Sequence, residues 1–152
     1  LKTCSKALGL AGLRVGFAIA GRTLTRALRA VKSPYNVGLM PQTVAEAVLS
    51  EPNYLTDCAQ KLVSSRQQLE QGLTVLSEKF PVVFERVYPS VTNFVLIRTP
   101  YASEIQDALK DRQIAIRKFP GYLRISAGSP EENQTVLDFL EEILAQLAAK
   151  EG

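Results

Sequence analysis

One lysine near the start of the chain stands among hydroxyl side chains and is followed by an arginine between glycines. Thr3, Ser5 and Arg14 can converge on a phosphate, because hydroxyl and guanidinium groups donate hydrogen bonds and glycines let the backbone come close. Lys6 is then an amine beside a bound anion, and a lysine amine that keeps a neutral fraction forms an imine with a carbonyl compound. The alternative is that Lys6 is an ordinary solvated lysine.

The whole run resembles the cofactor-lysine segment of fold-type I pyridoxal-phosphate-dependent aminotransferases. In that family a Ser-Lys pair precedes a Gly-Leu-Arg-x-Gly-Tyr/Phe sequence, and residues 12–17 read Gly-Leu-Arg-Val-Gly-Phe. A second segment, Leu-Arg-Ile-Ser-Ala-Gly-Ser-Pro-Glu-Glu-Asn at residues 123–133, resembles the family segment whose arginine binds the substrate carboxylate. Pro-Tyr-Asn-Val at residues 34–37 and Thr-Asn-Phe at residues 92–94 also match. The resemblance covers essentially the entire chain and is closest to the histidinol-phosphate aminotransferases.

The resemblance implies a role for each matched residue. Lys6 would carry pyridoxal phosphate as a Schiff base and move the proton between the substrate and the cofactor, whose phosphate Thr3, Ser5 and Arg14 would hold. Arg124 would bind the α-carboxylate of the amino acid through a bidentate pair. The remaining candidate is Arg117, which would bind the far end of the substrate, a phosphate for example. The alternatives are that Arg124 pairs with a surface carboxylate and that Arg117 is a plain exposed cation.

The implied reaction is transfer of an amino group between an amino acid and a 2-oxo acid. The amino acid would be histidinol phosphate or an aromatic analogue, and the partner would be 2-oxoglutarate or glutamate. Two alternatives stay open: a pyridoxal-phosphate-dependent decarboxylase of a phosphorylated amino acid, and a non-catalytic domain that serves for packing or dimerisation. Because the family's aspartate on the pyridinium nitrogen has no counterpart in this chain, we expect the chain to be an inactive piece of a longer enzyme.

The resemblance also implies how the chain is organised. We predict an α/β protein in which residues 1–50 are the last part of a large pyridoxal-phosphate-binding domain. Residues 51–152 would form the smaller carboxy-terminal α/β domain, of the α+β kind, and a long helix at residues 54–80 would bridge the two. Within the first part, the apolar pattern predicts a loop and then a buried strand at residues 15–19, followed by two helices.

In the second part, apolar residues recur with the period of strands and then with the period of helices. Ser103 is predicted to cap a helix, and Ser129 opens a capping box with Pro130 and Glu132 that predicts the start of the last helix. Apolar alternation and short apolar runs predict the strands at residues 82–87, 94–97, 114–116 and 122–127.

Composition excludes several classes of site and partner. The chain has no histidine, which excludes histidine bases and ligands, and its two cysteines lack a metal-type spacing, so we expect no metal and a reducing, cytoplasmic location. The net charge of +3 comes without a run of like charges, so no nucleic acid is expected, and no apolar stretch predicts a membrane span. We expect amino acids and 2-oxo acids as small-molecule partners. Exposed strand edges in residues 1–50 predict self-association or disorder of that segment, and the dimeric family predicts a homodimer.

Overall fold

The computed structural model describes residues 1–151 and divides the chain into two compact units. The first unit is Leu1–Gln60 and the second begins at Lys61. The border lies inside a helix, α3, that runs from Pro52 to Lys79. Among the described residues, no helix is both long and apolar enough to cross a membrane.

The first unit contains a two-stranded ribbon and two helices with a small core. The ribbon is antiparallel, with Thr3 opposite Gly16. Its core consists of three buried residues, Cys4, Val15 and Ala45. In chain order the elements are β1 (Lys2–Thr3), a 3-10 helix (Ala11–Leu13), β2 (Gly16–Phe17), α1 (Arg22–Val31) and α2 (Leu39–Leu49).

The prediction of a buried strand at residues 15–19 was wrong. Strand β2 has only two residues and pairs only with β1 in the described chain, so no further strand covers its edge. Val15 is buried, whereas Phe17 is 37% and Ile19 80% exposed. Helix α1 is equally open, because none of its residues is buried, and Leu24, Leu28 and Val31 are among its exposed apolar side chains.

The second unit is a four-stranded antiparallel sheet with helices on one face. The strands lie in the order β3-β4-β6-β5. Alternate residues of the central strands, such as Val95 and Leu123, pack with the helices in the core, and the residues between them face the other side of the sheet. After α3 the elements are β3 (Arg86–Tyr88), β4 (Phe94–Arg98), α4 (Ala102–Asp111), β5 (Arg117–Phe119), β6 (Tyr122–Ser126) and α5 (Pro130–Glu151).

Helix α5 begins where the capping box predicts. The Ser129 N–H donates to Glu132 Oε2 at 2.7 Å, and the Glu132 N–H donates to Ser129 Oγ at 3.2 Å. These two bonds satisfy amide groups that the first turn of a helix leaves without partners. The pKa of Glu131 lies below its usual value, because its own backbone N–H and then the Ser129 hydroxyl bond to its carboxylate.

The short strand β5 lies three residues later than predicted. Residues 114–116 are irregular, and pairing starts at Arg117. Its position is set by the Pro120-Gly121 turn, in which Gly121 takes a φ of +75°, so that Phe119 faces Tyr122 across the hairpin. Residues 82–85 were also predicted as strand, but residues 81–83 form a turn after α3 and the strand begins at Arg86. Both errors arise because turn geometry, rather than the apolar pattern, sets where pairing begins.

The predicted cap of α4 was also wrong. Ser103 lies inside the helix, which begins at Ala102, and Ser103 Oγ accepts a hydrogen bond from Lys118 Nζ at 3.0 Å. The residue that bonds to the backbone at this helix start is Thr99, whose buried hydroxyl accepts from the Tyr101 N–H at 3.1 Å.

A buried asparagine fixes the turn between β6 and α5. Asn133 is 2% exposed, and its Oδ1 accepts the Gly128 N–H at 2.9 Å. Its Nδ2 donates to the carbonyl and the hydroxyl of Ser65, at 3.0 Å and 2.9 Å. The end of β6 is therefore tied to α3 by hydrogen bonds as well as by apolar packing.

We expect Asn133→Ala to lower the free energy of unfolding by about 1–3 kcal/mol, because it leaves the Gly128 N–H and the Ser65 carbonyl buried without this partner. Chemical denaturation followed by circular dichroism measures the change. Gln134→Ala, at the neighbouring exposed position, serves as the control and should shift the same free energy by less than about 0.5 kcal/mol. Equal losses for both variants would contradict the role assigned to Asn133.

Candidate active site

The lysine loop, residues 3–16, is closed by backbone hydrogen bonds. The Cys4 N–H donates to the Val15 carbonyl at 3.1 Å, and the Leu10 N–H donates to the Cys4 carbonyl at 3.0 Å. Next to Lys6 the chain turns, with the Gly9 N–H donating to the Lys6 carbonyl at 3.0 Å. Gly9 takes a φ of +66°, which suits glycine. The backbone on either side of Lys6 is thus held by the buried Cys4.

The amine of Lys6 is exposed and unpaired. Within residues 1–151, Lys6 Nζ makes no hydrogen bond or ion pair. The Ser5 N–H donates to Thr3 Oγ1 at 3.1 Å, which brings the two predicted hydroxyl residues together next to the lysine. The structure therefore leaves Lys6 accessible to a carbonyl compound, as imine formation requires.

Arg14 ends the 3-10 helix in an unusual backbone conformation. Its φ of 55° is left-handed, which costs a non-glycine residue about 1–2 kcal/mol, and its Nη1 donates to the Ala11 carbonyl at 3.0 Å. Two residues later the ribbon permits no side chain, since a Cβ on Gly16 would lie 2.9 Å from the Lys2 carbonyl oxygen. The side chain of Arg14 is held locally and forms no ion pair in the described chain.

The charge around the lysine loop favours an anion. The first acidic residue of the sequence is Glu46, and residues 1–45 contain seven lysines and arginines. Hydroxyl, guanidinium and ammonium groups are the donor set that suits a phosphate group. The residues present thus fit the predicted cofactor phosphate chemically.

In the second unit, Arg117 and Arg124 lie directly opposite each other on the paired strands β5 and β6. Opposed residues of an antiparallel pair project from the same face, which here is the face turned away from the helices. The arginine pocket beside them has a volume of about 410 Å³, and none of its lining residues is acidic. The lining residues are Gln106, Ala115, Ile116, Arg117, Lys118, Arg124 and Ser126.

Arg124 carries a buried donor with no partner. Its Nε is buried and makes no hydrogen bond to any described residue, and its Cζ lies 4.8 Å from the centroid of the Phe94 ring. Arg117 is exposed and has no ion pair within the described residues. A buried N–H without an acceptor is unfavourable, and no group in the described chain supplies the acceptor. By contrast, carboxylates of Glu70, Glu85 and Glu142 pair with Arg66, Arg98 and Arg112.

Sequence reasoning missed part of this pocket. Gln106 donates to the Ile116 carbonyl at 3.0 Å and so holds the chain just before Arg117, and neither Gln106 nor Lys118 was singled out. Phe94 was noticed only as part of a matching segment. The Pro120-Gly121 pair was the available signal, because a hairpin built on it aligns β5 with β6 and puts Arg117 opposite Arg124.

The sequence of this chain matches the model of a known protein family. The family model described as aminotransferase class I and II matches residues 1–140. The chain belongs to this family. It is 37% identical over 150 residues to a histidinol-phosphate aminotransferase of Thermoanaerobacter pseudethanolicus, and 33% identical over 157 residues to histidinol-phosphate aminotransferase 1 of Legionella pneumophila. The matches cover 95% and 97% of this chain, which spans 41% of the length of each relative.

Solved structures confirm the predicted α/β fold class. The histidinol-phosphate aminotransferase from Sinorhizobium meliloti, in complex with pyridoxal-5'-phosphate, matches with a TM-score of 0.80 and 28% identity over 95% of this chain and 40% of its own. The L-threonine-O-3-phosphate decarboxylase from Porphyromonas gingivalis matches with a TM-score of 0.77 and 26% identity over 94% of this chain and 45% of its own. The predicted division into domains and the roles of the site residues stay predictions.

Proposed function

We propose that this chain supplies the reactive lysine and two anion-binding sites of an aminotransferase that uses pyridoxal phosphate. The amino donor is histidinol phosphate or an aromatic analogue, and the amino group passes to or from 2-oxoglutarate or glutamate. The proposal rests on one observation above all: Arg117 and Arg124 face each other in a pocket without an acidic lining residue. Such a pocket suits substrates with a carboxylate or a phosphate.

In this proposal each predicted site residue of the lysine loop has a chemical task. Thr3, Ser5 and Arg14 bind the cofactor phosphate, and Lys6 is the point of attachment. When bound, pyridoxal phosphate supplies an electron sink that stabilises negative charge at the substrate α-carbon. Lys6 Nζ accepts the proton from that carbon and delivers it again later, which its lack of a partner within residues 1–151 permits.

The arginine pocket orients the substrate. Arg124 offers two parallel N–H groups to a carboxylate, a geometry that fixes direction as well as distance. Arg117, from the opposite strand, adds a second positive charge for a phosphate or a distal carboxylate. Because the two substrates of an aminotransferase both carry anionic groups, the same pair of arginines serves both.

A decarboxylase is the second candidate. The structural similarity to the Porphyromonas gingivalis enzyme, whose name specifies a phosphorylated amino acid, favours it. The same lysine and arginines would serve such a reaction, so the pocket alone does not separate the two activities.

A third candidate is a non-catalytic domain, in which the chain by itself packs against a second copy. The exposed Leu24, Leu28 and Val31 of α1 support self-association.

In the described residues both cysteines are free, which supports the predicted reducing, cytoplasmic location.

A hybrid enzyme tests these proposals. The part of the Thermoanaerobacter pseudethanolicus relative that aligns with this chain is replaced by this chain, and the hybrid receives pyridoxal phosphate. We expect glutamate to form from histidinol phosphate and 2-oxoglutarate. Carbon dioxide released from threonine O-3-phosphate would favour the decarboxylase instead. A folded hybrid that binds the cofactor but forms neither product would favour the third candidate, the non-catalytic domain. The unmodified relative is the positive control.

A further inference from the structure

Phe94 lies diagonally across the sheet from Arg124. In the pairing of β4 with β6, Phe94 is opposite Ser126 and Leu96 is opposite Arg124, so the ring and the guanidinium share the face turned away from the helices. Diagonal neighbours on one face lie within reach of an aromatic side chain. The distance of 4.8 Å from Arg124 Cζ to the ring centroid is that of a cation–π contact.

Two hydroxyl groups hold the start of β4 and with it the ring. The Phe94 carbonyl accepts hydrogen bonds from Ser90 Oγ and from Thr92 Oγ1, the second at 3.2 Å. Thr92 Oγ1 in turn accepts the Phe94 N–H at 3.4 Å and lies 3.0 Å from Ser90 Oγ. We call Ser90 and Thr92 the hydroxyl clamp. It fixes the backbone from which the Phe94 ring projects.

Another arginine that lies on a ring is held differently. Arg112 lies 4.5 Å from the Phe139 ring, but it also pairs with Glu142 at 2.7 Å and donates to the Phe139 carbonyl at 3.3 Å. Arg124 has the ring contact without a carboxylate, and its Nε has no acceptor in the described chain. A ring holds a guanidinium by its face and leaves the N–H groups at its edge free, whereas a carboxylate occupies them.

We propose that Phe94, held by the hydroxyl clamp, is a positioning residue that fixes the Arg124 guanidinium while leaving its charge and its N–H groups free for the anionic group of the substrate. The inference rests on the proposed function, because it assumes that Arg124 binds an anion. It adds how the arginine keeps one orientation before the anion arrives. An arginine ordered in advance loses less side-chain entropy on binding than a mobile one.

Nuclear magnetic resonance on the whole chain tests the positioning step without any ligand. Relaxation of the Arg124 Nε–H group is compared in the wild type, in Phe94→Tyr, which keeps the ring, and in Phe94→Leu, which removes it. We expect an ordered Nε–H shifted upfield by the ring in the first two, and a mobile, unshifted one in the third. Phe119→Leu, on the same face of the sheet, is the matched control and leaves Arg124 unchanged.

Methyl signals of the core residues Leu123 and Ile125 establish that each variant is folded. If Phe94→Leu does not fold, Thr92→Val takes its place, because it removes one hydroxyl of the clamp and keeps the ring; it should give an Nε–H of intermediate order. An Nε–H as ordered in the folded Phe94→Leu or Thr92→Val variant as in the wild type would overturn the proposal.

Titration with inorganic phosphate tests whether the ordered Arg124 binds an anion. We expect phosphate to shift the Arg124 Nε–H signal in the wild type and in Phe94→Tyr, and to bind Phe94→Leu roughly two- to thirty-fold more weakly. Equal affinity for Phe94→Leu and the wild type would overturn the proposal. If the order of Nε depends on the ring but no variant binds phosphate, the positioning role of Phe94 stands and the proposed anion site is refuted. The experiments therefore distinguish failure of the positioning role of Phe94 from failure of the proposed anion site.

Discussion

Lys6→Ala should lower the rate of amino transfer by the hybrid enzyme roughly 10⁴-fold, because no other group of the lysine loop can move the proton at the substrate α-carbon. The other residues assigned to this loop offer hydroxyl groups or a guanidinium, which stays protonated. Glutamate production from histidinol phosphate and 2-oxoglutarate measures the loss. Lys2→Ala is the matched control, since Lys2 is also exposed and lies in the ribbon that closes the lysine loop, and it should retain nearly full activity.

A chemical trap locates the attachment site independently of turnover. Borohydride reduction after incubation with pyridoxal phosphate should fix the cofactor on the peptide that contains Lys6, as peptide mass shows. In Lys6→Ala that label should disappear without moving to Lys2 or Lys32. Equal labelling of several lysines in the wild type would show that Lys6 has no special site, and would leave the catalytic role of this chain without support.

Arg124→Lys should lower kcat/KM of the hybrid enzyme roughly 10²-fold or more for glutamate and for histidinol phosphate alike. Lysine keeps the charge but loses the planar pair of donors, and a buried charge-assisted contact is worth about 2–5 kcal/mol. Steady-state kinetics with each substrate measure the effect. Arg98→Ala removes an exposed arginine that is paired with Glu85 and does not line the arginine pocket, so it should change kcat/KM less than two- to three-fold.

The variant Arg117→Ala distinguishes the role of Arg117 from the role of Arg124. We expect it to lower kcat/KM for histidinol phosphate more than for an aromatic amino acid that lacks the phosphate, because Arg117 is assigned to the phosphate, which is the only anionic group of histidinol phosphate. Loss of both activities by the same factor would show that Arg117 only supports the strand. An Arg124→Lys variant as active as the wild type would refute the bidentate contact assigned to Arg124.

Local signals in the sequence predicted the fold well where neighbouring residues decide it. The capping box at Ser129 contains all the groups that it needs within four residues, and the start of α5 was confirmed. The central strands β4 and β6 were also confirmed, because each buries alternate side chains. The position of β5 was missed, since it depends on how the Pro120-Gly121 turn aligns two strands. The contact between Asn133 and Ser65 joins residues far apart in sequence, which no local pattern reveals.

Some features of the candidate site could also be predicted from the sequence, and others could not. Residue types and the family resemblance were enough to single out Lys6, Arg14 and Arg124. They did not show the left-handed backbone of Arg14 or the unpaired Nε of Arg124, because both depend on chain closure and on strand pairing. The part played by Phe94 follows only from the register of β4 with β6.

The lysine loop rests on a small core, and this has a consequence for how tightly a ligand is bound. In the described chain this core has three buried residues, with partly buried Leu8, Leu10, Leu13 and Val37 packed against Cys4, Val15 and Ala45. A segment with so few buried contacts opens at a small free energy, so its amide protons should exchange with solvent far sooner than those of β4 and β6. A ligand that needs the closed loop binds only the closed fraction, and its apparent affinity falls in proportion. If the lysine loop holds the cofactor as proposed, we expect substitutions around Ala45 to change cofactor affinity without changing any atom assigned to the cofactor.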